Sequence, residues 1–518
     1  MPRWFLTIFA IFFPSIGVVL AEAPKATIET NSTKSSTELD AAIFAEIDKN
    51  SKLMKNLEYL CDRIGPRLTG SAKLEKANEW AAAKMKEYGL TSVQLEPYEI
   101  PVGWERGKAT FTMIEPNAGK SFAVASAGWT PGTKGKIAGE VAFVDAKTKD
   151  DLAKYKGKLK GKIVLRSAPA DVKPITDLTY LSPKPTEPKD GDPKKPNEKP
   201  ESSIADAMAF QKALAEFVKE EGAAVVLRDS AKPHGLLSMT GSWPKPERDG
   251  DRPALDPLPT LFVAHENYLM LHRLTTATDA QPPKVEVEIT NTFVPGPIAV
   301  YNTVGEVRGR EKPDEFVVVG AHLDSWDLGT GATDNGTGSC AVLEVARTIA
   351  ALAKAGHPPK RTIRFVLFSG EEQGLYGSKA YVKSHRDEMP KTSCALVHDT
   401  GTGFVHGFGL QGREAVKAVL ESELEGLKEA KGFQGLTLRS LGGTDHLSFE
   451  AAEVPGFACD QDIDEYRLTH HTQTDTFDHV KEPNMIQGAK VLAVAAYRIA
   501  NLPELLPREK PKKDEKKP

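Results

Sequence analysis

Apolar runs that end in acidic or histidine residues recur in the C-terminal part of the chain. Three of them read FVVVGAHLD, RFVLFSGEEQG and CALVHDTGTG, and segments with helical spacing of apolar residues lie between them. Alternation of such runs with amphipathic helices predicts a sheet covered by helices, the α/β class. Polar residues that follow the strands of such a sheet lie in a crevice at the carboxyl ends of the strands. The pattern therefore predicts one polar site built from several strand ends.

Length and charge limit the kind of protein further. The 518 residues exceed the size at which a single hydrophobic core keeps growing, so we expect two domains. A net charge of -4 gives no basis for binding nucleic acid or an anionic membrane surface. The 4 cysteines, which form no CxxC pair, are too few for a disulfide-built scaffold and argue against a cysteine zinc site. These features favour a small partner.

The N-terminus has the pattern of an export signal. Arg3 precedes an apolar stretch from Trp4 to Leu20, and small residues lie near Ala21. This pattern favours cleavage of residues 1–21 and an exported chain, periplasmic or extracellular. An uncleaved membrane anchor is the alternative, but Pro14 interrupts the run, which is short for a span. No later segment approaches the length of a membrane helix, so we expect no stable span after signal cleavage.

Composition divides the rest of the chain into two parts. Residues 122–295 contain short strands and turns, which predict a β-rich domain inserted into another domain. We expect the surrounding domain to consist of residues 40–120 and 296–506 together and to contain the polar site. Within the insert, residues 183–200 are too rich in proline and charge to pack a core. The lysine- and proline-rich tail, residues 507–518, is predicted to be disordered.

Several loops supply candidate metal ligands. The candidates are His322, Asp334, Glu372, Asp399 and either His470 or His471. Two histidines and three carboxylates can hold two divalent ions if one carboxylate bridges them, and zinc suits this mixture of nitrogen and oxygen ligands. Two such ions can polarise a carbonyl group and acidify a shared water molecule. The pattern therefore predicts a hydrolytic site with two Zn²⁺ ions per chain.

The other acidic residues of these loops fit supporting roles. Neighbouring residues of an extended segment point to opposite sides, so one of Glu371 and Glu372 can bind metal while the other transfers the proton of the water. Asp324 follows His322 by two residues and could accept the other ring N–H of that imidazole, which would fix its tautomer. We therefore expect a glutamate of this pair and Asp324 to take part in catalysis.

Four motifs, taken together and in order, resemble a known family. HLDSWDLGTGATDNGTG, FVLFSGEEQGLYGSKAYV, LVHDTGTG and HHTQTDT are similar to the di-zinc exopeptidases that include bacterial leucyl aminopeptidases, glutamate carboxypeptidase and plasma glutamate carboxypeptidase. The likeness covers about residues 50–120 and 300–500. It implies a mixed central sheet flanked by helices, and the insert resembles a protease-associated domain.

The resemblance also implies a role for each candidate residue. It makes Asp334 the bridging ligand, His322 and Asp399 the ligands of one ion, Glu372 and His471 those of the other, and Glu371 the general acid and base. His471 is preferred to His470 because an acid, Asp475, follows it four positions later. Asp327 is the competing bridge. A cis peptide bond between Asp334 and Asn335 is implied as well.

Further polar residues near these motifs have two interpretations each. Tyr466 could hydrogen-bond the reaction intermediate or form part of the pocket wall. Asp445 or His446 could contact the terminal group of a substrate, although Asp445 could equally cap the following turn. His398, beside a proposed ligand, is interpreted as a buried and hydrogen-bonded histidine.

The predicted function is that of an exported zinc exopeptidase acting on short peptides. Aminopeptidase or dipeptidase activity is the first choice and carboxypeptidase activity the second, because the motifs do not fix which peptide terminus is anchored. Arg413, Arg439 and Arg467 could bind a carboxylate but cannot be placed from sequence. A non-catalytic, receptor-like relative is the rival from another class, but it would be expected to lack ligands that this chain has. The insert could also bind peptides or another protein itself, and the sequence leaves homodimer formation open.

Overall fold

The computed structural model describes residues 32–172, 201–243, 258–278, 281–463 and 465–509. The proposed signal, residues 1–21, and the proline-rich segment, residues 183–200, lie outside these ranges, as do residues 510–518 of the tail. Within the described ranges, no helix is both long enough and apolar enough to cross a membrane.

Strands and helices alternate through most of the described residues. The strands are β1 (Thr91–Glu105), β2 (Ala109–Glu115), β3 (Val124–Ser126), β4 (Ile137–Phe143), β5 (Ile163–Leu165), β6 (Val225–Asp229), β7 (Thr260–Val263), β8 (Lys284–Ile289), β9 (Thr292–Val307), β10 (Lys312–His322), β11 (Arg361–Phe368), β12 (Thr392–Val397), β13 (Val405–Gly409), β14 (Gly435–Thr437) and β15 (Gly456–Gln461). The α-helices are α1 (Ser32–Asn50), α2 (Leu53–Glu58), α3 (Ala72–Glu87), α4 (Glu201–Glu220), α5 (His265–Thr276), α6 (Thr337–Lys354), α7 (Tyr376–Ser384), α8 (Glu414–Glu423), α9 (His446–Ala451), α10 (Tyr466–Thr469) and α11 (Glu482–Asn501).

The larger sheet carries the strands that end in polar residues. Its order is β1-β9-β11-β10-β12-β15-β13-β14. The centre is parallel, because β10 pairs with both β11 and β12, and β12 pairs with β15. Antiparallel pairs of β11 with β9 and of β15 with β13 follow on the two sides. The expected α/β fold, a mixed sheet flanked by helices, is confirmed.

Helix α6 lies in the core beneath the site. Val342, Val345, Ala346 and Ile349 are fully buried, as their helical spacing predicts. Leu343, on another face, is buried too, because α11 packs on this helix as well as β10. Each large aliphatic side chain buried in this way contributes about 1.5–3 kcal/mol. The helix therefore gives firm support to the loop that precedes it.

A second sheet has the strand order β2-β8-β4-β5-β6-β7-β3. Its own core contains the buried side chains of Phe111, Leu227 and Val287. Residues 122–295 supply most of its strands, but β2 precedes residue 122 and pairs with β8. β9 begins at Thr292 and belongs to the larger sheet. The division into two domains, and the likeness of the second to a protease-associated domain, stay predictions.

Tryptophan side chains connect the region of the second sheet with the larger sheet. Trp129 meets Trp243 and Trp326 edge-on, with ring centroids 5.4 and 6.3 Å apart. Glycine at position 128 permits this approach, because a β-carbon on Gly128 would lie 2.8 Å from the Trp326 ring. The ring of Trp326 also lies 6.0 Å from that of His471. The tryptophan packing therefore extends to the loops at the carboxyl edge of the larger sheet.

Candidate metal centre

Three neighbouring strand ends bring the predicted residues to one edge of the sheet. His322 is the last residue of β10, Glu371 and Glu372 follow β11, and Asp399 follows β12. The parallel register places His322 beside Phe368, the last residue of β11. Because β10 lies between β11 and β12, the polar side chains that follow these strands meet in one place.

Asp334 lies at the centre of this cluster, and each of its two carboxylate oxygens faces a different histidine. Its Oδ1 is 3.3 Å from His322 Nε2, which in turn is 3.1 Å from Asp399 Oδ1. Its Oδ2 is 3.4 Å from His471 Nε2, which is 2.9 Å from Glu372 Oε2. Each oxygen of Asp334 thus faces a different pair of one histidine and one carboxylate. A carboxylate that bridges two metal ions needs this arrangement.

The polar atoms present fit divalent metal ions. Asp334 Oδ2 and Glu372 Oε1 are buried and have no hydrogen-bond partner among the described residues. Buried polar atoms are ordinarily paired, so these two unpaired oxygens suit groups that bind a ligand. Two sets of ligand atoms lie within 4.8 Å of one another, those of His322, Asp334 and Asp399 and those of Asp334, His470 and His471. Imidazole nitrogens with carboxylate oxygens are the donors that zinc prefers.

Glu372 and His470 both lie close to His471. The side chain of Glu372 is 2% exposed, whereas that of His470 is 41% exposed and its Nε2 is 3.8 Å from Asp334 Oδ2. The rings of His470 and His471 stack with centroids 3.7 Å apart. His471 Nε2 is nearer to Asp334 Oδ2, at 3.4 Å, and the His471 side chain is less exposed, at 20%. The geometry therefore favours His471 over His470 beside Asp334, and the role of His471 as a metal ligand stays a prediction.

Burial governs the protonation of this cluster. It raises the pKa of Glu372 well above the usual range, and the negative charge of Asp334 raises it further. Burial likewise raises the pKa of Glu371. For Asp334, burial is outweighed by hydrogen bonding to His322 and by nearby histidine charges, which hold its pKa below the usual range. Burial lowers the pKa of His471, which favours the neutral imidazole that binds metal.

Asp324 has a different set of contacts from the one predicted. His322 Nδ1 lies 2.9 Å from the main-chain oxygen of Asp324 and 3.6 Å from its carboxylate. The carboxylate instead accepts a hydrogen bond from Thr69 Oγ1 at 2.9 Å and long ones from the main-chain N–H groups of Glu371 and Glu372, at 3.3 and 3.4 Å. The tautomer of His322 is therefore fixed by a main-chain carbonyl. The Asp324 side chain holds the loop that carries both glutamates.

The segment around Asp334 is held by an acid from another loop. Asp475 accepts hydrogen bonds from the main-chain N–H groups of Thr333, at 2.6 Å, and Asp334, at 3.2 Å. Burial, together with the charge of Asp334, raises the pKa of Asp475 to about 7. The Asp334–Asn335 peptide bond is cis, as the resemblance implies. The sequence indicates Asp475 only through its spacing, four positions after His471.

Sequence reasoning missed a buried arginine that supports the same loop. Arg67 is 0% exposed, and its guanidinium donates to the main-chain oxygens of Leu323 at 2.6 Å, Thr330 at 2.8 Å and Gly331 at 2.7 Å. These bonds fix both ends of the loop between β10 and Asp334. Arginine is ordinarily exposed, so composition gave no reason to expect this role. The GPRLTGS motif that contains Arg67 was the available signal.

Asp327, the competing bridge, lies in a different environment. Its carboxylate pairs with the guanidinium of Arg106 through two contacts, at 2.7 and 2.9 Å. Arg106 also donates to Ser126. A carboxylate whose two oxygens both accept hydrogen bonds from one guanidinium group already has a strong cationic partner. The geometry therefore favours Asp334 over Asp327 as the bridge.

A cavity of about 640 Å³ adjoins the cluster. Its lining includes Glu371, Glu372, Asp399, Arg439, Tyr466 and His471. From this position, Tyr466 could hydrogen-bond a reaction intermediate or form part of the pocket wall, so both interpretations stay open. Of the three arginines that sequence could not place, Arg413 is fully buried and paired with Glu450, whereas Arg439 is half-exposed on the cavity wall.

The remaining candidates, Asp445, His446 and His398, are buried and do not line this cavity. Asp445 is fully buried and makes no N-cap hydrogen bond to α9, so the capping role is not observed. Burial raises its pKa to about 7. His446 is also buried, with Nε2 3.0 Å from the main-chain oxygen of Leu441. His398 is buried, as interpreted from the sequence, but its Nδ1 has no hydrogen-bond partner among the described residues, so the hydrogen-bonded part of that interpretation is not observed. Burial lowers the pKa of His398 to about 4, which favours the neutral imidazole.

A mixed α/β sheet with histidines and carboxylates beside a cavity at the carboxyl ends of its strands is the arrangement of a class of metal-binding enzymes. The family model described as Peptidase family M28 matches residues 302–496. Carboxypeptidase Q from Bos taurus is 30% identical over 463 residues, which cover 88% of this chain and 86% of that protein. The chain belongs to peptidase family M28.

Further relatives agree with this membership. Carboxypeptidase Q from Homo sapiens is 29% identical and covers 91% of this chain and 89% of its own length. The structure of a peptidase M28 precursor from Shewanella amazonensis has a TM-score of 0.73 at 25% identity, covering 92% of this chain and 100% of that chain. A zinc aminopeptidase from Bacillus subtilis shares the fold, with a TM-score of 0.59 at 21% identity over 86% of this chain and 94% of that chain.

Proposed function

We propose that the protein is an exported exopeptidase that uses two zinc ions to hydrolyse short peptides, as an aminopeptidase or dipeptidase. The observation that carries this proposal is the carboxylate of Asp334, whose two oxygens face two separate histidine–carboxylate pairs. The relatives named carboxypeptidase Q and zinc aminopeptidase support peptide substrates and zinc. Export rests on the pattern of residues 1–21.

These distances support the ligand assignment that the family resemblance implies. His322 and Asp399 would hold one ion, Glu372 and His471 the other, and Asp334 both. Bound zinc supplies polarisation of the peptide carbonyl and acidification of a water molecule. Glu371 lines the cavity next to the ligand Glu372, and its raised pKa suits a group that takes a proton and returns it to the leaving amine. Asp324 would keep both glutamates in place through its bonds to their main chain.

Metal content and end-group preference test this proposal. We expect the purified chain without residues 1–21 to bind about two zinc ions, by elemental analysis, and to hydrolyse unblocked dipeptides. N-acetylated dipeptides should be poor substrates if the free amine is anchored. A preparation loaded with zinc that cleaves no unblocked dipeptide would contradict the proposal. One bound ion per chain would contradict the bridging role of Asp334.

Carboxypeptidase activity is the second candidate, and Arg439 favours it. This side chain lies on the cavity wall, and its Nη1 contacts both oxygens of Asp460 at 3.0 and 3.1 Å. A guanidinium carries five N–H donors, so this pairing does not use its full capacity. Arginine is well suited to bind a carboxylate. Arg439 could therefore anchor the free C-terminus of a peptide.

Replacement of Arg439 separates the two candidates. If Arg439 binds the substrate carboxylate, Arg439→Met should raise KM for a free dipeptide about 10-fold, because a charge-assisted hydrogen bond of about 1.5 kcal/mol is lost. The same variant should leave KM for the C-terminal amide of that dipeptide unchanged. Arg63→Met, on an exposed residue outside the cavity, is the matched control. Equal changes for acid and amide would remove Arg439 as the anchor.

A further inference from the structure

A segment from the second sheet contacts the loop that carries His471. Residues 230–238 follow β6, and Lys232 Nζ donates to the main-chain oxygens of Arg467 at 2.9 Å and His470 at 2.8 Å. Gln473 makes a second connection, since its Oε1 accepts from Leu237 N at 2.8 Å. The two connections flank His471 in the sequence.

The 230–238 segment is itself firmly held. Ser230 Oγ donates to the main-chain oxygen of Leu236 and accepts from the N–H of Ser238, both at 2.6 Å. The carboxylate of Glu266 accepts from the main-chain N–H groups of His234 at 2.7 Å and Gly235 at 3.1 Å. A loop closed by its own hydrogen bonds can fix the position of another loop.

His471 needs such support because of its backbone conformation. Its φ is 58°, in the left-handed region that a residue with a β-carbon seldom adopts. Such a conformation persists where the surroundings enforce it. Lys232 binds the carbonyl of His470, which belongs to the peptide group next to this residue. Its bond therefore acts on the peptide plane that helps to set the direction of the His471 side chain.

We propose that Lys232 is a positioning residue for His471, so that the second sheet helps to build the metal site; this rests on the proposed function. A positioning role strengthens zinc binding. The positive charge of Lys232 by itself would weaken zinc binding, because a nearby ammonium group disfavours a bound cation. Loss of a purely electrostatic contribution would therefore tighten zinc binding. Loss of a positioning contribution would weaken it. The two roles predict changes of opposite sign.

Zinc dissociation constants of the full mature chain, measured by competition with a chromophoric chelator, test this role. We expect Lys232→Met to weaken binding of one of the two ions about 10-fold, the size typical of groups that orient a metal ligand, and to leave the other ion unaffected. Lys232→Arg, which keeps donors to both carbonyls, should restore part of the affinity. Lys158→Met, on an exposed lysine of the same region, should bind zinc as the wild type does.

Gln473→Leu provides an independent measurement should Lys232→Met fail to fold. This change removes the hydrogen bond between Gln473 and Leu237, and it should also weaken the binding of one zinc ion. Unchanged or tighter zinc binding in folded Lys232→Met would overturn the role of Lys232. If Lys232→Met does not fold, the same result in Gln473→Leu would overturn it. Failure of the wild-type chain to bind two zinc ions would instead overturn the proposed function, so the two outcomes are distinct.

Discussion

Replacement of Glu371 by glutamine is expected to lower kcat about 1000-fold while both zinc ions stay bound. Glutamine keeps the size of the side chain but cannot take up a proton, and general acid–base catalysis contributes roughly 100- to 10,000-fold. The hydrogen bond from the Glu371 main chain to Asp324 does not involve the altered group, so the loop should keep its shape. KM should change little, because no proposed ligand is lost.

The neighbouring glutamate supplies the matched control. Glu372→Gln alters a proposed ligand, so it should lower zinc content as well as activity. Measurement of kcat, KM and bound zinc in both variants separates proton transfer from metal binding. Full activity in Glu371→Gln would contradict the mechanism, and loss of zinc in that variant would exchange the roles of the two glutamates.

The fold could be predicted because the segments of the C-terminal part of the chain have clear patterns. Each is either a short continuous apolar run, as in a buried strand, or a series of apolar residues at helical spacing. The run that ends at His322 is buried on both faces as β10, and the helical spacing after Gly338 corresponds to α6. The border of the second sheet was less accessible to sequence reasoning. β2 reads like any short strand, and only its pairing with β8 shows that it belongs to that sheet. Pairing between distant strands leaves no local trace in the sequence.

The site shows a similar division. Residues at or just beyond the ends of strands, such as His322 and Asp399, come together because the register of the parallel strands β10 and β12 places these ends side by side. Asp324 illustrates the limit of spacing arguments: two residues after His322, its main-chain oxygen rather than its carboxylate meets the imidazole. Contacts from distant segments, such as those of Arg67 and Lys232, depend on how loops fold over one another. No pattern within a single motif reports them.

The choice between two possible bridging acids leads to the second large effect. Asp334→Asn is expected to weaken zinc binding about 100-fold or more, because residues that only orient a ligand already contribute roughly 10- to 100-fold. An amide has one oxygen and cannot offer an anionic oxygen to each of two ions. Since Asp334 faces both histidine–carboxylate pairs, we expect both ions to be affected and peptide hydrolysis to fall with them.

Asp327→Asn is the control that makes this prediction specific, since it makes the same chemical change seven residues earlier in the loop. It weakens the ion pair with Arg106, so the expected result is a lower unfolding temperature with two zinc ions still bound. Isothermal titration of both variants with zinc, with circular dichroism to verify the fold, compares them directly. If Asp327→Asn loses zinc and Asp334→Asn retains it, then Asp327 is the bridge and the arrangement of ligands around Asp334 is wrong.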